Sequence, residues 1–363
     1  MKLPLRELRR QPNRFVVAVV VLSFLATLLL FLGGLLDGLY LGSTGAIRAQ
    51  QGDAIVYSAS ARDSFLRSRI TGDVRTTVEH VEGVTEVGGL GFTLLGAKVP
   101  GTSDLADVAV AGYEIPPKGV PAPQADGKGV ADDRLQDFGA KVGDTILVGP
   151  SASPIVITGF VHDTGYLLQS TVWVNLSTWR AVQNANRPDA AVHDDVVQAL
   201  VVKGAGDLPK AIDAATAGAT KTLTNDQAVL SLPGVKQQRD TFNQIIYTTM
   251  AVVLAVVGLF FSLLTLERLG LYGVLKAIGA SSRRLFMGVL VQALVIAIIA
   301  FVIGSVLASI AAALLPASVP LQLVPSRFVS TFIGLVLAAA FGSAVSLRRV
   351  TRVDPASAIG TGS

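Results

Sequence analysis

The sequence contains no cysteine, only three histidines and few charged residues. Without cysteine the chain can form neither a disulfide framework nor a thiolate metal site, and a cysteine nucleophile is excluded. Charged residues make up 15% of the 363 residues, against about 25% in typical soluble domains. Together with 51% hydrophobic residues and a mean hydropathy of +0.56, this excludes a wholly soluble, disordered or collagen-like chain.

Motifs of catalysis are missing as well. His80, His162 and His193 are far apart in the sequence, and no HExxH, GxSxG or Walker A pattern occurs. The Gly127 and Lys128 pair lacks the glycine that a Walker A loop places five residues earlier. We therefore predict that the chain is not an enzyme by itself and has no catalytic residues, no intrinsic cofactor and no metal site. Nothing supports a nucleic-acid partner.

Four uncharged runs are long enough to cross a bilayer, which takes about 20 residues. The first is too long and too evenly apolar for a signal-peptide core, so we expect a retained anchor. The fold class predicted is a membrane protein with four transmembrane helices, one plus three, and an α+β extracytoplasmic domain inserted between the first and second. The transmembrane helices are placed at 15–40, 245–266, 285–315 and 328–347. Between them lie an amphipathic N-terminal segment at 1–14, the domain with its stalk ends at 41–244, a cytoplasmic loop at 267–284, an outer loop at 316–327 and a tail at 348–363.

The distribution of charge orients these helices. The N-terminal segment, the loop at 267–284 and the tail together carry twelve basic and three acidic residues, whereas 41–243 carries 17 basic and 22 acidic ones. Because positively charged flanks stay in the cytoplasm, both termini and the loop are predicted inside, and the inserted domain outside. Arg327 and Asp37 cancel in this count.

The insert alternates short apolar runs with Gly, Asp and Pro, which predicts strands joined by turns. Helical patterns occur between them, so a mixed α+β class is expected. The run from 88 to 95 fits either a hydrophobic docking loop or a core strand. Strands are predicted at 54–57, 108–111, 145–148, 155–161, 171–174 and 196–202, and helices at 64–81, 208–217 and 225–231.

The loop at 267–284 has an amphipathic pattern. Leu269, Tyr272, Leu275 and Ile278 recur at three-residue spacing, and Gly279 is a typical helix end. A short helix of this kind on the inner surface can dock in a groove of a cytosolic protein. The alternative is an ordinary connection between two spans.

This loop, together with the tail from Arg349 to Ile359, resembles the FtsX/MacB-like permeases of ABC transporters, and most closely their HrtB/DevC-type branch. Their loop pattern is close to "ER..E.G.LKAIGAS", and Leu271 or Tyr272 stands where many members have a second Glu. The resemblance implies a homodimer in a bacterial cell (inner) membrane, in contact with its lipids. It also implies two copies of a separate ATPase subunit, which would bind ATP and Mg. The implied ATPase-coupling residues are Glu267, Arg268, Gly273, Lys276, Ala277, Ile278 and Gly279.

The same resemblance implies export of a hydrophobic or amphipathic substrate, with haem as the first choice because HrtB-like members export it. Tyrosine and methionine can ligate haem iron, which makes Tyr40, Tyr247 and Met250 the candidates near the outer side. The alternative is that Met250 fills packing space and the tyrosines belong to the aromatic belt. A second functional class also stays open: a mechanotransmitting permease that activates an extracytoplasmic partner or releases a lipoprotein.

Overall fold

A computed structural model of the chain describes residues 12–62, 64–267, 278, 281–316 and 319–351. Within these residues the chain forms two compact units. One consists of the described parts of Met1–Gly38 and Arg239–Ser363, and the other is Leu39–Gln238. The first is built from long helices and the second from a β-sheet with short helices.

The elements follow one another in an order that separates the two units. A single long helix comes first, strands and short helices follow, and three long helices come last. The described elements are α1 Pro12–Arg48, β1 Ala54–Ser58, α2 Gly72–Glu79, β2 Val84–Lys98, β3 Leu105–Tyr113, β4 Lys128–Asp132, β5 Thr145–Val148, β6 Ser153–Val161, β7 Ser170–Asn175, α3 Leu176–Asn186, β8 Ala199–Gly204, α4 Leu208–Ala215, β9 Thr220–Thr224, α5 Asn225–Ser231, α6 Val235–Leu266, α7 Ser282–Leu314 and α8 Pro325–Thr351, with 3₁₀ turns at Ala59–Ala61, Phe65–Arg67, Asp133–Phe138 and Pro188–Ala190.

Helices α1, α6, α7 and α8 are each long and apolar enough to cross a membrane. Their shared core is rich in alanine, with Ala26, Ala297 and Ala338 among its buried members. Small side chains let helices approach closely. Close packing matters in a membrane because lipid is itself apolar, so burying apolar surface between helices contributes little to their association. One hydrogen bond of 3.3 Å, from Thr27 Oγ1 to the Gly304 carbonyl, joins α1 to α7.

The nine strands form one sheet in the order β3-β7-β4-β6-β5-β2-β8-β1-β9, and β3 also pairs with β2. That extra pairing closes β2, β3, β7, β4, β6 and β5 into a barrel, from which β8, β1 and β9 extend. The 15-residue strand β2 makes this possible. Its residues 90–98 pair with β3, while on its other edge 84–90 pair with β8 and 97–98 with β5.

Alternate residues of the central strands serve two different cores. Val108 and Val110 of β3 point into a core that includes Trp179 of α3. Ala109 and Ala111 point to the opposite side, where the second core contains most of the buried aromatic side chains of the domain. The rings of this second core belong to Tyr57, Phe65, Phe92, Tyr113, Tyr166 and Trp173, and Ala46 and Ile47 of α1 pack into it.

Capping side chains fix where the short helices of the sheet unit begin. The Asn175 side chain accepts a hydrogen bond of 2.8 Å from the Thr178 amide at the start of α3. Thr224 and Gln227 form a reciprocal capping box at the start of α5. These local signals explain why the helix predicted at 225–231 is confirmed with the same bounds.

Several predictions for the insert need correction. The helix predicted at 64–81 is wrong over its first half, because Ile70 pairs with Val197 in an isolated bridge and only Gly72–Glu79 is α-helical. The strand predicted at 196–202 begins at Ala199, since the Val196 amide closes a turn on His193. The run from 88 to 95 is a core strand and not a docking loop. The predicted segment list did not include β9 or α3.

Candidate functional site

The predicted ATPase-coupling loop lies mostly outside the described residues. This applies to Arg268, Gly273, Lys276, Ala277 and Gly279, whose roles stay predictions. The two described members are both exposed. The Glu267 amide continues the last turn of α6 by donating to the Leu263 carbonyl at 3.0 Å, and the Ile278 side chain is 79% exposed.

Tyr247 and Met250 are one helical turn apart on α6, but their surroundings differ. The side chain of Tyr247 is 71% exposed within this chain. Met250 is half-buried and packs against the helix core, with its thioether methyl directly over Gly334 of α8. Met250 therefore has a packing role between two helices, whereas Tyr247 presents a free ring surface.

Tyr40, the third candidate, belongs to the other compact unit. Its ring packs against the aromatic core of the sheet domain, and the Arg48 guanidinium lies 5.8 Å from the ring centroid. A cation at that distance over an aromatic face is attracted to it. The structure thus places Tyr247 and Met250 on one helix and Tyr40 against a different core.

An ion pair between α1 and α8 is the feature of the helix bundle that the sequence reasoning missed. Arg327 and Asp37 appeared there only as charges that cancel. In the structure Arg327 Nε donates to Asp37 Oδ2 at 2.9 Å and Nη2 donates to Oδ1 at 2.5 Å. Their side chains are 21% and 17% exposed. The signal that could have found the pair was one acid and one base at the predicted outer ends of two apolar helices.

The loop before α8 also fastens to α1. The Gln322 amide donates to the Gly34 carbonyl at 3.0 Å, and the Pro320 carbonyl lies where a side chain at Gly38 would stand. Glycine at these positions lets the loop backbone touch the helix backbone. The bundle end that contains Asp37 and Arg327 is therefore closed by backbone contact as well as by the ion pair.

Helix α6 is the least covered of the four candidate spans. Only 11% of its most apolar window is buried within the chain, compared with 33% to 39% for the other three. In its apolar part Val253 and Val257 are buried, whereas Val252, Leu254 and Leu259 are exposed. A helix with one narrow buried face leaves the rest of its surface for lipid or for another protein.

The histidines occupy surface positions of the sheet unit. His162 Nδ1 lies 2.6 Å from Asp133 Oδ2, and this hydrogen bond raises the pKa of His162 above its ordinary value. His80 Nδ1 lies 2.7 Å from the Thr76 carbonyl, one turn earlier in α2. Within the described ranges, no group of three or more His, Cys, Asp or Glu side chains could hold a metal ion.

Comparison with known proteins gives matches over both halves of the chain. Residues 243–355 match the family described as FtsX-like permease C-terminal. A relative from Staphylococcus haemolyticus, named "Putative hemin transport system permease protein HrtB", is 20% identical over 371 residues, which cover 99% of each chain.

Two solved extracytoplasmic structures resemble part of the chain. The periplasmic region of MacB from Actinobacillus actinomycetemcomitans has 13% identity and a TM-score of 0.36, covering 50% of this chain and 92% of that one. The extracellular domain of the noncanonic ABC-type transporter YknZ from Gram-positive bacteria has 11% identity and a TM-score of 0.33, covering 48% of this chain and 100% of that one.

The four candidate membrane helices and the inserted α+β domain confirm the predicted fold class. The match over 243–355 and the full-length relative confirm the resemblance to FtsX/MacB-like ABC transporter permeases, and the chain carries an FtsX-like permease domain.

Proposed function

We propose that this chain is the membrane subunit of an ABC-type exporter that moves haem, or a similar amphipathic molecule, out of the membrane. The observation that carries the proposal is the FtsX-like match over 243–355, which spans the predicted coupling loop and three long helices. The full-length similarity to a relative named for hemin transport supports haem as the substrate. The permease would use ATP hydrolysed with Mg by a separate ATPase subunit.

The assembly we propose contains two copies of this chain and two ATPase subunits. The exposed surface of α6 supports a second copy, because an incompletely packed helix in a family of multi-subunit transporters is a natural place for subunit contact.

We further propose a bacterial cell membrane location with both termini in the cytoplasm. The excess of basic residues in the N-terminal segment, the loop at 267–284 and the tail supports this orientation.

The substrate proposal is tested by haemin titration of the purified protein in nanodiscs, with the Soret band as the readout. The test variant carries Tyr40→Phe, Tyr247→Phe and Met250→Ala. A control variant carries Tyr113→Phe and Met287→Ala, which change one tyrosine in the core of the domain and one methionine near the start of α7.

Saturable binding that is lost only in the test variant would support haem as substrate and these side chains as its ligands. Equal binding by both variants would keep haem and discard the three ligands. Absence of binding in the wild-type protein would overturn the haem proposal. If ATP then still changed the extracytoplasmic domain, the mechanotransmitting permease would be the better description.

A further inference from the structure

The segment 162–169 between β6 and β7 has an unusual backbone. Asp163, Leu167 and Leu168 have φ angles of 57°, 50° and 67°. Residues other than glycine rarely adopt this left-handed backbone conformation. Leucine has no polar side-chain group that could offset the steric cost by a local hydrogen bond. Such residues persist where surrounding contacts hold them, and they cluster at clamps and switches. The contacts that hold this segment are therefore informative.

The last turns of α1 hold the segment by backbone hydrogen bonds. The Leu168 amide donates to the Gly42 carbonyl at 3.1 Å, and the Leu167 amide donates to the Ser43 carbonyl at 3.0 Å. In the other direction the Ala46 amide donates to the Gly165 carbonyl at 2.9 Å. Carbonyls of a helix normally accept from their own helix, so these bonds tie the segment into the ladder of α1.

Glycine in α1 is what allows so close an approach. A Cβ atom added at Gly45 would lie 2.7 Å from the Asp163 carbonyl oxygen and 2.8 Å from the Gly165 nitrogen. Both neighbours are backbone atoms, so neither can turn aside as a flexible side chain would. Even alanine at position 45 would push the segment away from the helix.

Side chains add an ionic contact on the outer edge of this junction. Arg48 Nη2 donates to Asp163 Oδ1 at 2.6 Å, while its Nε donates to Thr44 Oγ1 at 2.9 Å within α1. The guanidinium is therefore fixed to the helix and to the segment together. An ion pair of this exposure adds modestly to stability, but it sets the distance between the two elements.

On its other side the same segment enters the core of the sheet domain. The ring of Tyr166 is buried and stacks on Phe92 of β2 with centroids 4.2 Å apart and planes 10° apart. Burial raises the pKa of Tyr166, which keeps its phenol neutral. Thr164 also attaches the segment to the sheet. The buried carboxylate of Asp132 accepts hydrogen bonds from the Thr164 amide at 2.8 Å and from the Thr164 hydroxyl at 3.0 Å.

We propose that residues 162–169 form a clasp through which movement of α1 reaches the β-sheet of the extracytoplasmic domain. The segment contacts the helix by backbone bonds on one side and the sheet by Tyr166 and Thr164 on the other. Its left-handed residues are strained in the present conformation. When the helix shifts, the segment can therefore relax into a second conformation in which these residues are unstrained. The clasp rests on the proposed ATP-driven permease function, and it names the residues that would couple the helix to the domain.

The first test measures amide hydrogen exchange of the full-length protein in nanodiscs without ATPase. We expect Gly45→Ala to speed exchange of the Leu167 and Leu168 amides about tenfold or more, because it separates these two amides from the Ser43 and Gly42 carbonyls of α1. Gly159→Ala is the matched control, since a Cβ at Gly159 meets nothing within 4 Å. Asp163→Asn is a milder variant that keeps a residue tolerant of the left-handed conformation and removes only the charge. Unchanged exchange of the Leu167 and Leu168 amides in both test variants, with the protein folded, would overturn the clasp.

The second test adds the ATPase subunit and compares exchange with and without ATP. In the wild-type protein we expect ATP to change exchange over 163–168 and in β2. In Asp163→Asn we expect ATP hydrolysis to continue while the change in β2 shrinks. A response in α1 that leaves 163–168 unchanged would overturn the clasp and keep the permease function. No response to ATP anywhere in the chain would overturn the proposed function, and the clasp with it.

Discussion

Arg327 donates two hydrogen bonds to Asp37, from Nε to Oδ2 at 2.9 Å and from Nη2 to Oδ1 at 2.5 Å. This ion pair joins the fourth long helix to the first. The stem of Arg327 lies against Gly33, where a larger residue would displace it. A planar guanidinium matches a carboxylate in this two-bond geometry better than an ammonium does. The pair therefore sets the rotation of both helices as well as their distance.

Breaking this pair should destabilise the helix bundle. We expect Asp37→Ala to lower the free energy of unfolding by about 2 kcal/mol, since it leaves a mostly buried guanidinium unpaired. Arg327→Lys should cost less because it keeps the charge. Thermal unfolding in nanodiscs measures both. If the losses from Asp37→Ala and Arg327→Ala simply add in the double variant, the two side chains do not interact energetically.

The crossing of α6 and α8 provides a second prediction, with its own control. A Cβ at Gly342 would lie 2.7 Å from Val257 Cγ1 and 2.9 Å from the Gly258 nitrogen, whereas a Cβ at Gly258 would lie 3.9 Å from the Gly342 Cα. Gly342→Ala should therefore lower the unfolding temperature, at a cost of about 1–3 kcal/mol. Gly258→Ala, on the other helix of the same crossing, should be neutral. Equal effects of the two substitutions would contradict the close contact.

The predicted coupling loop is tested by replacing Lys276 and Gly279 together with alanine. We expect loss of complex assembly with the ATPase, or a fall of about tenfold in the ATPase stimulation that the permease produces, a typical size for allosteric coupling. Copurification and ATP hydrolysis are the measurements. The control replaces Lys128 and Gly159 with alanine, the same residue types in the sheet domain. Wild-type coupling in the loop variant would exclude this loop as the contact.

The hydrogen bond between His162 and Asp133 predicts a pH dependence. The carboxylate raises the pKa of His162 above 6.5. The stabilisation that the hydrogen bond between protonated His162 and Asp133 contributes is then fully present below pH 6.5, and it is lost as the pH rises through the raised pKa of His162 in the folded state. An NMR titration should show the raised pKa in the wild-type protein and its return towards 6.5 in Asp133→Asn. The same pKa in both proteins would show that Asp133 is not the cause.

Some elements could be predicted because their signals are local. The apolar runs of the long helices and the Thr224 and Gln227 capping box depend only on neighbouring residues. The helix predicted at 64–81 failed because the chain needs Ile70 extended in order to pair with Val197, more than 120 residues later. Strand β9 was missed for a related reason, since its polar residues 220–224 form a strand by pairing with β1, far earlier in the chain.

The candidate ligands show the same division. Composition marked Tyr40, Tyr247 and Met250 as side chains able to bind haem iron, but their environments depend on packing. Gly334 of α8 lies against Met250, and Arg48 lies over Tyr40. Gly334 is far from Met250 in sequence and no periodic signal links the two, whereas Arg48 follows Tyr40 by about two turns of the same helix. Packing alone therefore separated an exposed tyrosine from a methionine that fills the space between two helices.

By itself, the sequence determined that this is a membrane protein with one helix, an inserted α+β domain and three further helices, because hydrophobicity and charge act locally along the chain. Its loop motif also determined the family resemblance. Only the tertiary structure decided that Asp37 meets Arg327 and that Gly45 meets Asp163. Those contacts join residues separated by more than 100 positions, and they form only when the packed helices and strands bring the distant backbones together.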